Sequence, residues 1–241
     1  MSVRWQTLPD ASAAAEATAH HVINLLEEVL SGQDSATLAI SGGSTPKLMF
    51  DKLAATKFRW DLVHLFWVDE RCVPPSDEQS NFKMASEHLL MPAHIPQRNA
   101  HRIHGELSPP SAAVRYVDDI RTFFGLETGQ MPRFDVLHLG MGPDAHTASL
   151  FPGEELIEDR DLIAAPVYAE KFKQWRVTLL PGVILAAKHT VFLVAGEDKA
   201  EPVRAVFHEE YEPKKYPAQI ATHQGRGVTW FLDEAAARLM D

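Results

Sequence analysis

The 241-residue chain has a single cysteine, Cys72, so it can form no internal disulfide and no zinc site with several thiolates. No run of 18 or more apolar residues occurs, so no membrane span is expected. The opening MSVRWQTLPDASAAAEA also lacks the apolar core of a secretory leader. Positive charge is scarce, with 23 Lys+Arg against 33 Asp+Glu and a formal net charge of −10. A general nucleic-acid binder needs a basic footprint, so that class is excluded. A small anionic ligand is not excluded, because a few local cations and backbone amides suffice to hold one. Glycine (13) and proline (16) are at ordinary levels, which removes collagen-like and low-complexity classes. There is no internal repeat, long linker or run of like charges. The remaining picture is an ordinary globular composition, 45% hydrophobic and 23% charged, long enough to bury a substantial core. A reducing, cytoplasmic setting is expected.

Short β-rich runs alternate with longer helical ones. Asp10 or Ser12 can cap a helix that places Val22, Ile23, Leu26, Val29 and Leu30 on one side. A buried strand is predicted over 37–40, a helix over 46–55, a strand over 62–68 and a helix over 81–91. Ser108-Pro109 starts another helix, whose stripe carries Ala113, Val117, Ile120 and Phe124. Further strands are expected over 134–139, 162–167, 175–180, 190–194 and 228–232, with helices over 181–188, 202–207 and 233–240. Continuously apolar strands separated by helices imply an α/β fold: a three-layer α/β/α, Rossmann-like arrangement with a mainly parallel sheet. Ligands in such sheets bind outside the carboxyl ends of the strands. Three polar, glycine-bearing segments fall at that edge, after Ile40, Val68 and Leu139, so one site built from three loops is expected.

Ser41-Gly42-Gly43-Ser44-Thr45-Pro46 joins a strand to a helix. Gly42 and Gly43 let backbone amides approach an anion, Ser44 and Thr45 add hydroxyls, and the helix start adds unpaired N–H groups. The same segment also reads as a tight turn with a serine cap. It matches neither a GxxxxGK[ST] loop nor GxGxxG. Asp69-Glu70-Arg71 offers either a phosphate-binding arginine, Arg71, or a surface salt-bridged turn. Gly140-Met141-Gly142-Pro143-Asp144-Ala145-His146-Thr147 places a carboxylate and an imidazole two residues apart. That spacing suits a general base, His146, with Asp144 fixing its tautomer or touching substrate; a helix-capping histidine is the alternative. Arg176 lies inside an apolar strand and needs an anionic partner, and Lys199 is a further cation; either can instead pair with one of the chain's acids. His20 and His21 fall on the first helix, and His101 and His104 on a strand or turn. No HExxH or GxSxG is present, so neither a metal site nor a serine hydrolase is expected. Cys72 reads as a packing residue.

Taken together, SGGSTPKLMFDKLA, FWVDERCVPPSDEQSNFKMA, HRIHGE, FDVLHLGMGPDAHTASLFPG and VTLLPGVILAAKHTVFLVAGEDKA resemble the 6-phosphogluconolactonases of the oxidative pentose phosphate pathway. The segments run in that family's order from about Leu38 to Lys199. The resemblance implies one domain over 1–241, related to the glucosamine-6-phosphate deaminases. It also implies hydrolysis of 6-phospho-D-glucono-1,5-lactone with no cofactor; the sequence leaves monomer and homodimer both open. It assigns phosphate binding to Gly42, Gly43, Ser44, Thr45, Arg71, Arg176 and Lys199, and the general base to His146 beside Asp144. Backbone amides of 140–142 are expected to hold the developing oxyanion. The family usually has glycine where this chain has Ala145, and Thr178-Leu179-Leu180-Pro181-Gly182 departs from its usual pattern. A deaminase/isomerase is an alternative, although DAHTASLFPG lacks the Asn-Glu of its DGHIAFNEP motif. A noncatalytic sugar-phosphate sensor is another.

Overall fold

The computed structural model describes residues 3–240. Its strands are β1 (Arg4–Leu8), β2 (Ala36–Ile40), β3 (Val63–Trp67), β4 (Asp69–Arg71), β5 (Ala100–His101), β6 (Val136–Leu139), β7 (Ala164–Ala169), β8 (Gln174–Leu179), β9 (His189–Val194) and β10 (Thr229–Asp233). Helices are α1 (Ala11–Leu30), α2 (Ser44–Ala55), α3 (Asn81–Ala85), α4 (Pro109–Phe124), α5 (Pro181–Ala186), α6 (Ala200–His208), α7 (Gln219–Gln224) and α8 (Glu234–Ala237). Seven strands form a sheet in the order β1-β10-β9-β6-β2-β3-β5, every pair parallel. Helices on both faces complete the expected three layers. Among the described residues, no helix is long and apolar enough to cross a membrane.

Helix α1 begins where sequence chemistry places it. The Asp10 carboxylate accepts the Ala13 N–H at 2.8 Å, so Asp10 rather than Ser12 is the cap. Val22, Ile23, Leu26 and Leu30 are buried, and Val29 is half-buried. β2 is buried at all five positions, as a central strand covered on both faces should be. Helix α4 starts at Pro109 and ends at Gly125 in the left-handed region, φ 62.

One expectation needs correction. The strands predicted over 162–167 and 175–180 do not extend the parallel sheet. They appear as β7 and β8 in a separate antiparallel sheet, ordered β4-β8-β7. Val68 is the junction: its N–H donates to Ile40 in the main sheet at 2.9 Å, and its carbonyl accepts from Leu179 N–H at 2.8 Å. The polar run that follows cannot enter the apolar sheet, so the chain turns out as β4. β1 and β4 are strands that the sequence pattern does not mark, and β5 falls where a strand or turn is expected around His101. The helix expected over 81–91 holds α-geometry only to Ala85 and widens to a π-turn over Ser86–Leu90. Asp233 ends β10 and caps α8, accepting from Ala236 N–H at 2.8 Å.

His138 on β6 is fully buried. Its Nδ1 accepts the Ser41 N–H at 3.4 Å, and its carbonyl accepts the Ser41 hydroxyl at 3.0 Å. Burial holds the imidazole neutral, pushed down to about 3 from an ordinary value near 6.5. The unfolded chain therefore binds a proton that the folded chain refuses. This residue's contribution is complete above about pH 6.5 and is lost as pH falls toward 3. Urea denaturation over that window should show His138→Gln falling less steeply than the parent, by about 1.4 kcal/mol per pH unit. Parallel curves would contradict this reading of His138.

Candidate active site

Loops from the carboxyl ends of β2, β6 and β9 meet β4 and β8 around a cavity of about 270 Å³. Eight of the nine predicted site residues line it: Gly42, Gly43, Ser44, Thr45, Arg71, His146, Arg176 and Lys199. Asp144 does not. It sits behind His146 and borders a separate cleft with Glu201 and Arg204.

Between β2 and α2, Gly43 takes φ 122, a conformation that disfavours a side chain, and caps the helix without any side-chain bond. Lys47 N–H returns to the Gly43 carbonyl at 3.2 Å, while the N–H groups of Ser44 and Thr45 have no helical acceptor. This combination of a helix start and a glycine turn is a ready anion cradle.

The cations come from the small sheet. Arg71 and Arg176 are directly opposite each other in the β4–β8 register, so both guanidinium groups lie on one face. Arg176 is 7% exposed, yet its nearest carboxylate, Asp69, is 3.7 Å away and its Nε has no partner. Among the described residues its one side-chain hydrogen bond goes to the Ser149 hydroxyl at 3.4 Å, and the Phe172 ring lies 4.8 Å from its guanidinium carbon. Burial lowers its pKa and neighbouring Arg71 adds to that, against the opposing charge of Asp69. Arg71 donates to the Gln79 carbonyl at 2.5 Å and, among the described residues, makes no salt bridge. Two like charges opposed across a strand pair and short of counter-charge are unfavourable unless an anion completes them. Lys199 also borders the cavity but is already paired with Asp198 at 2.6 Å.

Strand alternation separates the two acids of Asp69-Glu70-Arg71. Asp69 shares the cavity face with Arg71 and accepts from Ser149 Oγ. Glu70 points the other way, where its carboxylate accepts N–H groups from Arg71, Asn81 and Phe82 and the Ser80 hydroxyl. It therefore holds the start of α3 and the segment against which Arg71 rests. Burial raises its pKa despite those four donors. Asn81 and Phe172 were not anticipated, and both line the cavity.

In the loop after β6, His146 Nδ1 bonds Asp144 Oδ1, and among the described residues Nε2 has no partner. The Phe151 ring packs 4.6 Å from the imidazole. Burial raises the Asp144 pKa, but the bond and charge of His146, together with Lys171, hold it well below the ordinary carboxylate range. A β-carbon on Gly142 would lie 2.1 Å from the imidazole, so only glycine lets the ring sit there. The Gly142 N–H donates to the His146 carbonyl at 2.9 Å. It is therefore committed to shaping the loop and is not a free oxyanion donor, contrary to expectation.

A family model described as "Glucosamine-6-phosphate isomerases/6-phosphogluconolactonase" matches residues 9–230. The chain is 37% identical over 232 residues to the 6-phosphogluconolactonase of Nostoc sp., covering 96% of this chain and 95% of the relative. The solved 6-phosphogluconolactonase of Trypanosoma brucei superposes with a TM-score of 0.88 at 25% identity, covering 100% of this chain and 99% of the other. A monomeric glucosamine-6-phosphate deaminase superposes with a TM-score of 0.83 at 18% identity, covering 98% and 99%, which shows a shared fold.

Ala145 is 1% exposed and held at φ 60 by two hydrogen bonds, its N–H to the Gly142 carbonyl and its carbonyl from Ala218 N–H, both 3.0 Å. The loop has kept the left-handed turn and carries the strain of a β-carbon there. Ala145→Gly should raise stability by roughly 0.5–1 kcal/mol in urea denaturation. An equal or lower midpoint would show that the loop is not strained at this residue.

Proposed function

Because the chain belongs to the glucosamine-6-phosphate isomerase/6-phosphogluconolactonase family, we propose that it hydrolyses 6-phospho-D-glucono-1,5-lactone to 6-phospho-D-gluconate. The observation that carries this reading is the division of one cavity into an under-neutralised arginine pair and an unpartnered imidazole nitrogen. The sugar phosphate has the matching polarity, a dianion at one end and a reactive ester at the other.

The phosphate rests on the Ser44 and Thr45 amides and hydroxyls, with Arg71 and Arg176 supplying positive charge. Lys199, shared with Asp198, contributes less. Neutral His146 takes a proton from water at Nε2 as the oxygen attacks C1, and Asp144 holds the ring through Nδ1. Collapse of the tetrahedral adduct breaks the bond from C1 to the ring oxygen. The imidazolium proton passes to that oxygen, and the new carboxylic acid ionises into solvent. Anchoring the distant phosphate supplies orientation at the reacting end. No metal or cofactor enters this sequence of steps. A deaminase would release ammonia from glucosamine 6-phosphate, and the same preparation should yield none.

The two ends should fail in different kinetic constants. His146→Ala should lower kcat by roughly 10²- to 10⁴-fold with a small change in KM. Arg176→Met should raise KM at least about 30-fold, the equivalent of about 2 kcal/mol of charge-assisted anchoring. Both are read in a coupled assay that generates the lactone enzymatically and subtracts spontaneous hydrolysis. Parental turnover in His146→Ala would sink the assignment of the base, and an unchanged KM in Arg176→Met would sink that of the anchor.

A further inference from the structure

The β7–β8 hairpin ends in a single turn, Glu170–Phe172, followed by Lys173 at φ 51. Two successive side chains of this tip serve the site differently: Phe172 lines the cavity, and Lys171 reaches Asp144 behind His146. Phe172 lies over the Arg176 guanidinium. Lys171 Nζ stands 5.8 Å from the centre of the Phe172 ring and 3.4 Å from Asp144 Oδ2. Because Asp144 Oδ1 holds His146 Nδ1, one carboxylate is shared between an imidazole and an ammonium.

Resting on the proposed lactonase chemistry, we propose that Lys171 is a positioning residue that acts through Asp144. Its charge draws on the carboxylate, so the carboxylate orients the ring without holding it as imidazolium. A carboxylate alone beside an imidazole favours the protonated ring, which cannot accept a proton from water. A second cation on the same carboxylate weakens that preference while leaving the orienting bond in place. The position of Asp144, well below the ordinary carboxylate range, accords with this sharing.

Other charges around the dyad are further off or already matched. On the cavity side stand Asp69 and Arg71 from β4, Arg176 from β8 and Lys199 after β9. Arg176 faces Asp69 at 3.7 Å, and Lys199 is paired with Asp198 at 2.6 Å. On the rear side, α6 contributes Glu201 and Arg204, and Arg204 pairs with Glu209 at 3.0 Å. Among the described residues, Lys171 and His146 are the two basic side chains that touch Asp144. The Lys171 side chain is 55% exposed, so its replacement leaves the fold intact.

The test compares the parent, Lys171→Met and Lys171→Arg by kcat/KM from pH 5 to 8.5, with the spontaneous rate subtracted at each pH. Removing a positive charge favours the protonated ring. The acidic limb of Lys171→Met should therefore move to higher pH by roughly 0.3–1 unit. Lys171→Arg should coincide with the parent, and the displacement should shrink in 1 M salt, where the Debye length is about 3 Å. The His146 ring signals, followed by NMR, should move in the same direction. A coincident limb and unmoved ring signals overturn the proposal, whatever happens to kcat. A raised KM without limb displacement also overturns it, since that marks a substrate contact. The NMR readout needs no turnover, so displaced ring signals in a protein without lactonase activity would remove the proposed function and leave the Lys171–Asp144–His146 coupling standing.

Discussion

A guanidinium that is almost completely buried must find negative charge, and Arg176 finds too little. Asp69 stands 3.7 Å away, Ser149 offers one hydroxyl at 3.4 Å, and Nε is left without a partner. The residue directly across the strand pair is another arginine. Taking such a charge out of water costs several kcal/mol unless it is matched. The fold tolerates the deficit because the shortfall faces a cavity. An anion seated there would supply the missing charge, and the start of α2 on the adjoining wall would supply the N–H groups. The cavity is thus polarised before any ligand arrives.

That polarity follows from the junction of two sheets. The parallel sheet brings the glycine turn after β2 and the histidine loop after β6 to one edge, the usual place for ligands in this architecture. The strands that lead into that edge, β2, β6 and β9, carry no arginine. Val68 solves this by bonding to the main sheet through its N–H and to the small sheet through its carbonyl. The chain beyond it becomes β4, whose alternation turns Asp69 and Arg71 toward the cavity and Glu70 toward α3. The β7–β8 hairpin then closes the wall, with Phe172 over the Arg176 guanidinium and Lys171 on the Asp144 carboxylate.

Much of this is legible in the chain itself. Apolar periodicity locates α1, α4 and the buried strands, because burial dictates both the residue types and their spacing. The glycine turn before Pro46 and the Asp144-Ala145-His146 spacing mark two walls of the cavity. What periodicity cannot convey is which sheet a strand joins. β7 and β8 have the composition of parallel-sheet strands, and β4, which pairs antiparallel with β8, is three polar residues without a hydrophobic pattern. With β4 unseen, the shared face of Asp69 and Arg71 and the opposite face of Glu70 were out of reach. Asn81 and Phe172 enter the cavity from a helix start and a hairpin tip that carry no local motif. Likewise, the Gly142 amide looks free in the sequence, and only the closed turn shows it bound to the His146 carbonyl.

The most direct test of a cavity with an anion-binding and a reactive end is the orientation of 6-phosphogluconate in a crystal of the complex. The phosphate should lie against Arg71 and Arg176 and the amides of Ser44 and Thr45, with the C1 carboxylate at His146 Nε2. A product bound in the reverse sense, with its carboxylate on the arginine pair and its phosphate at the imidazole, would contradict the account.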